Sequence, residues 1–283
     1  MSALSETVDP QLEGVPETLL IPLWARAQEQ KRADPIIINP HAARIVESLD
    51  YDFDRFRIKG VETENLCVRS RVMDDLIRRI HSTSPDRTVI EFCPGLDTRF
   101  YRLGHLAKQW VEVDLPEVVQ LRKRFFTPDP TRTVIACSML DDQWIGEVGD
   151  SLDTPPLFIA EGFFYFFSHQ QIREFLCRLK VRYPGASLVF DAVSSLYLKL
   201  SNLRHPLKRS RLQFSLRPYA AELSEWDAEM HVKDYIGYGD APAYDGVMHR
   251  FAWWKRLAAS AIPSARHSFM IVHAGISNPS AGA

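Results

Sequence analysis

A chain of 283 residues, 46% of them apolar and 25% charged, has the composition of an ordinary folded protein. Its length suits one large α/β domain with an appendage, or two small domains. A formal net charge of −2, from 34 basic and 36 acidic residues, argues against broad electrostatic binding to nucleic acid, and no apolar run approaches the roughly 20 residues that span a bilayer. Met1 to Pro16 lacks the basic-then-apolar pattern of a signal peptide. The four cysteines, Cys67, Cys93, Cys137 and Cys177, form no C-x-x-C pair and have no histidine at ligand spacing. A reduced, cytoplasmic enzyme without a metal is expected.

In chain order, residues 1–16 read as a flexible tail. Glu17 to Glu29 turns helical in its second half, with Leu23, Trp24 and Ala27 inward. Pro40 to Leu49 is a second helix with proline in its first turn, and Tyr51 to Phe56 a loop of aromatic and charged residues. Leu66 to Ile80 is amphipathic, with Leu66, Met73, Leu76, Ile77 and Ile80 along one side. Residues 17–86 are therefore expected to form a helical cap ahead of an α/β domain at 87–277.

A strand–helix rhythm follows. Val89 and Ile90 begin an apolar run of the kind buried on both faces of a parallel sheet, Cys93-Pro94-Gly95 breaks it, and Leu96 to Leu103 recovers helical spacing. Trp110 to Asp114, Thr133 to Cys137, Pro156 to Ala160 and Ser187 to Asp191 read as further strands, with helices at Leu115 to Arg122 and Gln170 to Arg182. Such alternation predicts a parallel sheet with helices on both faces. The rhythm lapses at 195–226, a basic stretch that reads as a helical lid over the strand ends. Met230 to Ile236 is a strand, His249 to Ala261 a helix, and Ser268 to His273 a last strand that closes the sheet antiparallel.

Ligands of such sheets bind at the carboxyl ends of the strands, which here carry Glu91, Asp114, Asp141, Asp142, Glu161 and Asp191. The turn at Gly95 has a single glycine beside a proline, not the G-x-G-x-x-G of a pyrophosphate site, and Pro94 removes an amide donor. A nucleoside ligand without phosphates fits better, and S-adenosylmethionine is the common one. Asp114, at the end of the next strand, stands where a carboxylate accepts the ribose hydroxyls. Asp141 and Asp142 are placed for an adenine amino group, and Glu161 for the methionine end.

Glu91-Phe-Cys-Pro-Gly-Leu-Asp-Thr-Arg-Phe-Tyr-Arg-Leu103 resembles the Gly-Leu-Asp-Thr-Arg segment of the leucine carboxyl methyltransferase family, in particular its bacterial and fungal members that O-methylate polyketides and other small molecules. Glu17 to Ala27, Arg69-Ser-Arg-Val-Met-Asp-Asp75, Val113-Asp-Leu-Pro-Glu117 and Ile159-Ala-Glu-Gly162 extend the resemblance from about residue 17 to about residue 195. The resemblance implies a class I methyltransferase, Rossmann-like sheet of seven strands with the last antiparallel, and S-adenosylmethionine as methyl donor, leaving S-adenosylhomocysteine. It places Gly95 in the cofactor turn with Glu91 and Asp97 close by, Asp114 and Leu115 at the ribose, Asp141 or Asp142 at adenine, and Glu161 near the methionine amino group. An arginine for the methionine carboxylate is expected at Arg71, with Arg69 second. Cys93 stands where the family usually has the first glycine of Gly-x-Gly.

The methyl acceptor implied is a small molecule. A carboxylate acceptor is already ionised at neutral pH, whereas a phenol or enol needs a base, for which His169, Tyr197 and His231 are the candidates. Arg204, Arg209 or Arg211 of the lid are candidates to pair with an acidic acceptor. Methylation of a protein carboxyl terminus, and a non-catalytic binding role, remain the alternatives at this level.

Overall fold

A computed structural model of the chain describes residues 7–12, 14, 16–56, 61–149, 152–204, 211–226, 230–251, 253 and 266–277. The strands are β1 (Val89–Phe92), β2 (Trp110–Asp114), β3 (Arg132–Ala136), β4 (Leu157–Ala160), β5 (Ser187–Val193), β6 (Met230–Gly237) and β7 (Phe269–Ile276). They form one sheet in the order β3-β2-β1-β4-β5-β7-β6. β7 pairs antiparallel with both β5 and β6, so it alone runs against the other strands. β1, β2, β4 and β5 are buried at every position, because helices cover both faces of the sheet.

The helices are α1 (Leu20–Glu29), α2 (Pro40–Ser48), α3 (Val61–Thr83), α4 (Arg99–Leu103), α5 (Pro116–Arg122), α6 (Gln143–Val148), α7 (His169–Arg182), α8 (Ser195–Arg204), α9 (Glu222–Trp226) and α10 (Pro242–Asp245). Their starts follow local chemistry. Asn39 accepts from the Ala42 amide ahead of Pro40 at the head of α2, and Ser168 with Gln171 makes a reciprocal capping pair on α7. On one face of the sheet, Phe92 meets Trp144 of α6 and Phe175 of α7 edge-on, at ring distances of 5.0 and 5.1 Å. On the other face α3 lays Val72, Met73, Leu76 and Ile77 against Val89, Trp110, Ile159 and Ile271.

Three expectations change. α3 shares one core with the sheet, so the boundary drawn at residue 86 runs through packed side chains rather than between layers. The tail expected at 1–16 is docked where it is described. Val8 pairs with Leu49, and Val8 and Leu12 are buried against Leu20, Leu23 and Leu96, since those apolar faces of α1 and the turn need a cover. Of the helix expected at His249 to Ala261, the described part begins as a 3-10 turn over Met248–Arg250, and 252 and 254–261 lie outside the described residues. Among the described residues no helix is long and apolar enough to cross a membrane, and no cluster of side chains could hold a metal ion.

Candidate active site

The strand order reverses at β1, whose two neighbours are β2 and β4, and such a point opens a crevice at the carboxyl edge of a sheet. A cavity of about 430 Å³ lies there. Its walls are the turn Cys93 to Gly95, Asp114 and Leu115 at the end of β2, Ser138 and Met139 after β3, and Glu161 to Phe163 with Tyr165 to Phe167 after β4. Arg26 of α1 and Leu66 and Arg69 of α3 close it from the amino-terminal side.

The turn has an unusual backbone. Gly95 has φ +55°, and a Cβ there would lie 2.8 Å from Leu19 Cβ, so the position requires glycine. Its N–H donates to Asp114 Oδ2 and the Leu115 N–H to Oδ1, each at 2.8 Å. Arg122, buried beneath, donates to the carbonyl oxygens of Gly95 and Asp97. Cys93 also lies in the left-handed region, at φ +49°, although it carries a Cβ. That conformation costs a residue with a side chain about 1–2 kcal/mol, against about 0.5–1 kcal/mol for the extra unfolded-state freedom of glycine. Cys93→Gly is therefore expected to leave stability unchanged or raise it by up to about 1.5 kcal/mol. It should also tighten S-adenosylhomocysteine binding as the thiol leaves the cavity wall; urea unfolding and calorimetry measure the two effects.

Below the cavity lies a buried array of arginines and carboxylates. Arg99, with no exposed side-chain area, bonds Asp74 Oδ1 at 2.8 Å and Glu91 Oε1 at 2.7 Å, and also donates to Glu161. Arg69 bonds Glu161 at 2.9 Å and Asp191 at 3.2 Å, while Ser70 Oγ donates to Glu161 at 2.9 Å. Asp97 sits among Arg26, Arg99 and Arg102 at 3.6, 3.5 and 3.3 Å. Burial alone would raise Glu161, but Arg99 and Arg69 outweigh it and hold the carboxyl down at about 2. Asp97 is likewise held well below the usual range against its burial, by Arg26, Arg99 and Arg102. Glu91 and Asp191 go the other way, burial exceeding the pull of Arg99 on one and Arg69 on the other. Burial also pushes Asp114 up to about 6, against its two backbone donors.

Gly95, Asp114, Leu115 and Glu161 lie on the cavity wall, as do Glu91 and Asp97, whose oxygens are engaged by arginines. Arg71 does not. It is exposed, pairs with Asp75 at 2.7 Å and lines a different surface depression beside Ile36. Arg69, two residues away and so on the opposite side of α3, points into the cavity and packs over Gly162, where a Cβ would lie 3.0 Å from its guanidinium. Asp141 and Asp142 are exposed beyond a turn in which the Asp141 amide bonds Ser138 O, and Asp142 pairs with Arg178 at 3.4 Å. Ser138 and Met139 take the wall position in their place.

The proposed bases also sit elsewhere. His169 is bonded through Nε2 to Ser215 O at 2.8 Å, at the head of α7. Tyr197 packs on Phe269, ring to ring at 4.3 Å. His231 is exposed on β6 opposite Gly275, level with Ser187 at the amino end of β5 and so at the far edge of the sheet from the cavity. Of the lid arginines, Arg211 is exposed, while Arg209 and the Arg204 side chain lie outside the described residues. Arg26, Ser138 and Met139 were not expected at the site, whereas Tyr165 belongs to the aromatic run Phe163 to Phe167, which reads from the sequence as core or as a wall beside Glu161.

Residues 20–180, more than half of the chain, match the family model described as leucine carboxyl methyltransferase. The chain belongs to the leucine carboxyl methyltransferase family. Over 212 residues, 75% of this chain and 77% of the relative, it is 29% identical to the tetracenomycin polyketide synthesis O-methyltransferase TcmP of Streptomyces glaucescens. Over 271 residues, 86% of this chain and 91% of the relative, it is 25% identical to the S-adenosyl-L-methionine-dependent methyltransferase dpfgK of Gibberella zeae. Among solved structures, magnesium protoporphyrin IX methyltransferase of Synechocystis with bound S-adenosylhomocysteine superposes with a TM-score of 0.49 at 11% identity, over 80% of this chain and 94% of its own.

As in other leucine carboxyl methyltransferases, the sheet is the class I methyltransferase sheet, and the cofactor is S-adenosylmethionine. The cavity suits it in two respects. Asp114 spends one backbone donor on each oxygen, which leaves acceptor capacity for two hydroxyls, since a carboxylate offers about four lone-pair sites. Arg26, 2% exposed, lines the cavity with its Nε buried and without a hydrogen-bond partner among the described residues, as a site for an anionic group requires.

Proposed function

We propose that this methyltransferase methylates an oxygen of an apolar, aromatic small molecule of the polyketide type. The observation that carries this is the continuity of one cavity from the Gly95 turn to the rings of Phe163, Phe166 and Phe167. Those three rings follow β4 directly after Glu161, and a flat aromatic acceptor would stack against them. The 29% identity to TcmP supports the same substrate class.

In this reading Asp114 holds the ribose, Ser138 and Met139 flank the adenine, Arg26 and Arg69 face the methionine carboxylate, and Glu161 faces its amino group. The cofactor supplies a methyl group on a positively charged sulfur, open to in-line displacement. Arg69 and Arg99 keep Glu161 ionised, so a negative charge stays fixed where the ammonium would lie. The aromatic wall excludes water and aligns the acceptor oxygen, and alignment is the main source of rate in such a displacement.

Calorimetric titration with S-adenosylhomocysteine should give micromolar binding. A panel of aromatic polyketide hydroxyls and carboxylates, run beside peptides with free carboxyl termini, should then give turnover with the former alone. Methylation of the peptides and not of the aromatics would reject the reading.

A further inference from the structure

At the edge of the sheet opposite the cavity, a group of donors lacks an anionic partner. Ser187, 1% exposed, opens β5 there. Its Oγ accepts from Arg87 Nη1, just before β1, and from Lys233 Nζ of β6, each at 3.2 Å. Two cations thus converge on one neutral hydroxyl, and neither has a carboxylate at ion-pair distance among the described residues. The hydroxyl spends both lone pairs on them, while its own proton has no acceptor among the described residues. Asp234, the carboxylate of this face, is engaged by Arg79 at 3.2 Å and by His273 Nδ1 at 3.3 Å. Lys233 is placed by the strand itself. β6 shifts register between Val232 and Asp234, an irregularity of the kind that re-aims a side chain. On β7, a Cβ at Gly275 would lie 2.5 Å from the His231 ring and closer still to Lys233 Cε, so the glycine lets both side chains lie flat across the strand. His81, near the end of α3, is 3% exposed, and both its ring nitrogens are buried without a partner among the described residues. Burial and the charge of Arg87 push its pKa down, so at neutral pH it is an uncharged ring with an N–H still to donate. Burial and Arg87 likewise lower the pKa of Lys233, as befits a cation short of a counter-ion.

We propose that Arg87, Lys233 and the Ser187 hydroxyl form a binding site for a tetrahedral dianion of the phosphate type, separate from the methyl-transfer cavity. The guanidinium offers a planar fork to two oxygens and the ammonium a point charge, the two ways in which basic side chains hold phosphate. The Ser187 O–H is a neutral donor between them, and His81 holds a further N–H within reach of the Arg87 charge. A dianion matches two cations in charge, where a single carboxylate would leave one of them uncompensated. It also gives the buried hydroxyl proton an acceptor. Free phosphate and the phosphate group of a larger molecule share this chemistry. The site does not depend on which acceptor is methylated, since Ser187 and the cavity lie at opposite edges of the sheet.

The test is calorimetric titration of the full chain with inorganic phosphate and with glycerol 3-phosphate, in about 0.15 M sodium chloride so that diffuse surface attraction is screened. Wild type should bind phosphate saturably, at one site per chain. Equal or tighter binding of glycerol 3-phosphate would support the site as one for a phosphate group on a larger molecule, and its exclusion would support one for the free ion. Lys233→Met and Arg87→Met should each weaken phosphate binding about tenfold or more, the effect of losing one charge-assisted hydrogen bond. Gly275→Ala keeps the net charge and displaces the Lys233 side chain, and should weaken binding in the same direction. Lys123→Met, which removes an exposed lysine at the end of α5, should leave it unchanged. Circular dichroism checks that each variant is folded. Because Lys233 is exposed, its variant is read even if Arg87→Met fails to fold. A folded wild type that binds no phosphate would overturn the proposal. So would phosphate binding that Lys233→Met and Gly275→Ala leave as in wild type, since the anion would then sit elsewhere. Neither result bears on S-adenosylhomocysteine binding, so the reading of the cavity stands or falls separately.

Discussion

Arg99→Ala is expected to destabilise the fold by about 3–5 kcal/mol, the range for breaking a buried ion pair by removing one partner. Arg99 has no exposed side-chain area and is bonded to Asp74, Glu91 and Glu161, with Asp97 at 3.5 Å. Its removal leaves Glu91, which among the described residues has only Trp110 Nε1 besides, as a buried carboxylate with no charged partner among them at bonding distance. Lysine is not expected to rescue the variant, since one ammonium cannot reproduce a planar fork that meets three carboxylates. The pH dependence has a definite sign. In wild type Glu161 is held down at about 2, so its contribution is present above its unfolded value and is lost as pH falls toward 2. Without Arg99 the freed carboxylates titrate upward, and the variant gains stability as they protonate on acidification. The deficit in urea unfolding should thus be smaller at pH 5 than at pH 8. An equal deficit at both would mean that packing, not charge, is what Arg99 contributes.

The strands were legible because burial on both faces favours short, mainly apolar runs, and β4 is wholly apolar while β1, β2 and β5 are apolar but for a few polar or charged positions such as Glu91, Glu112 and Asp191. Asp114 was legible for a related reason, since it closes one of those runs at the edge where ligands bind. The arginine was a question of helix phase. Leu66, Met73 and Leu76 define the inward face of α3, and at about 100° per residue Arg69 falls on it while Arg71 falls away. That signal was present and outweighed by motif position. Arg26 carried one too: an arginine three residues after buried Leu23 lies on an inward face and needs a buried partner. Asp141 and Asp142 failed because a turn between Ser138 and Asp141 separates them from the strand end. Tyr165 lies in the aromatic run Phe163 to Phe167, which reads as core or pocket wall beside Glu161 without showing what its hydroxyl meets. Its partner, Asp191, lies 26 residues later on β5, and only the pairing of β4 with β5 brings the two together.

Asp114→Ala is expected to weaken S-adenosylhomocysteine binding about 100-fold or more while leaving the protein folded. Two ribose hydroxyls bonded to an ionised carboxylate are together worth about 3–6 kcal/mol, and about 1.4 kcal/mol is a factor of ten in affinity. The fold should survive because the hydrogen-bond donors to Asp114 among the described residues are the Gly95 and Leu115 amides, which lie on the cavity wall where water can replace the carboxylate. Asp114→Asn keeps the size and one acceptor, and should fall between wild type and alanine. Burial gives the free protein's carboxyl a pKa of about 6, and hydroxyl donors favour the ionised form. Binding below pH 6 must therefore release a proton. Affinity should rise with pH by up to tenfold per unit below about 6 and level off above it, where the free protein is already ionised. Asp114→Ala removes the titrating group and should flatten this profile as well as lower it. A variant that binds within a few-fold of wild type, with the same pH profile, would place the ribose away from Asp114 and require the cofactor to lie differently in the cavity.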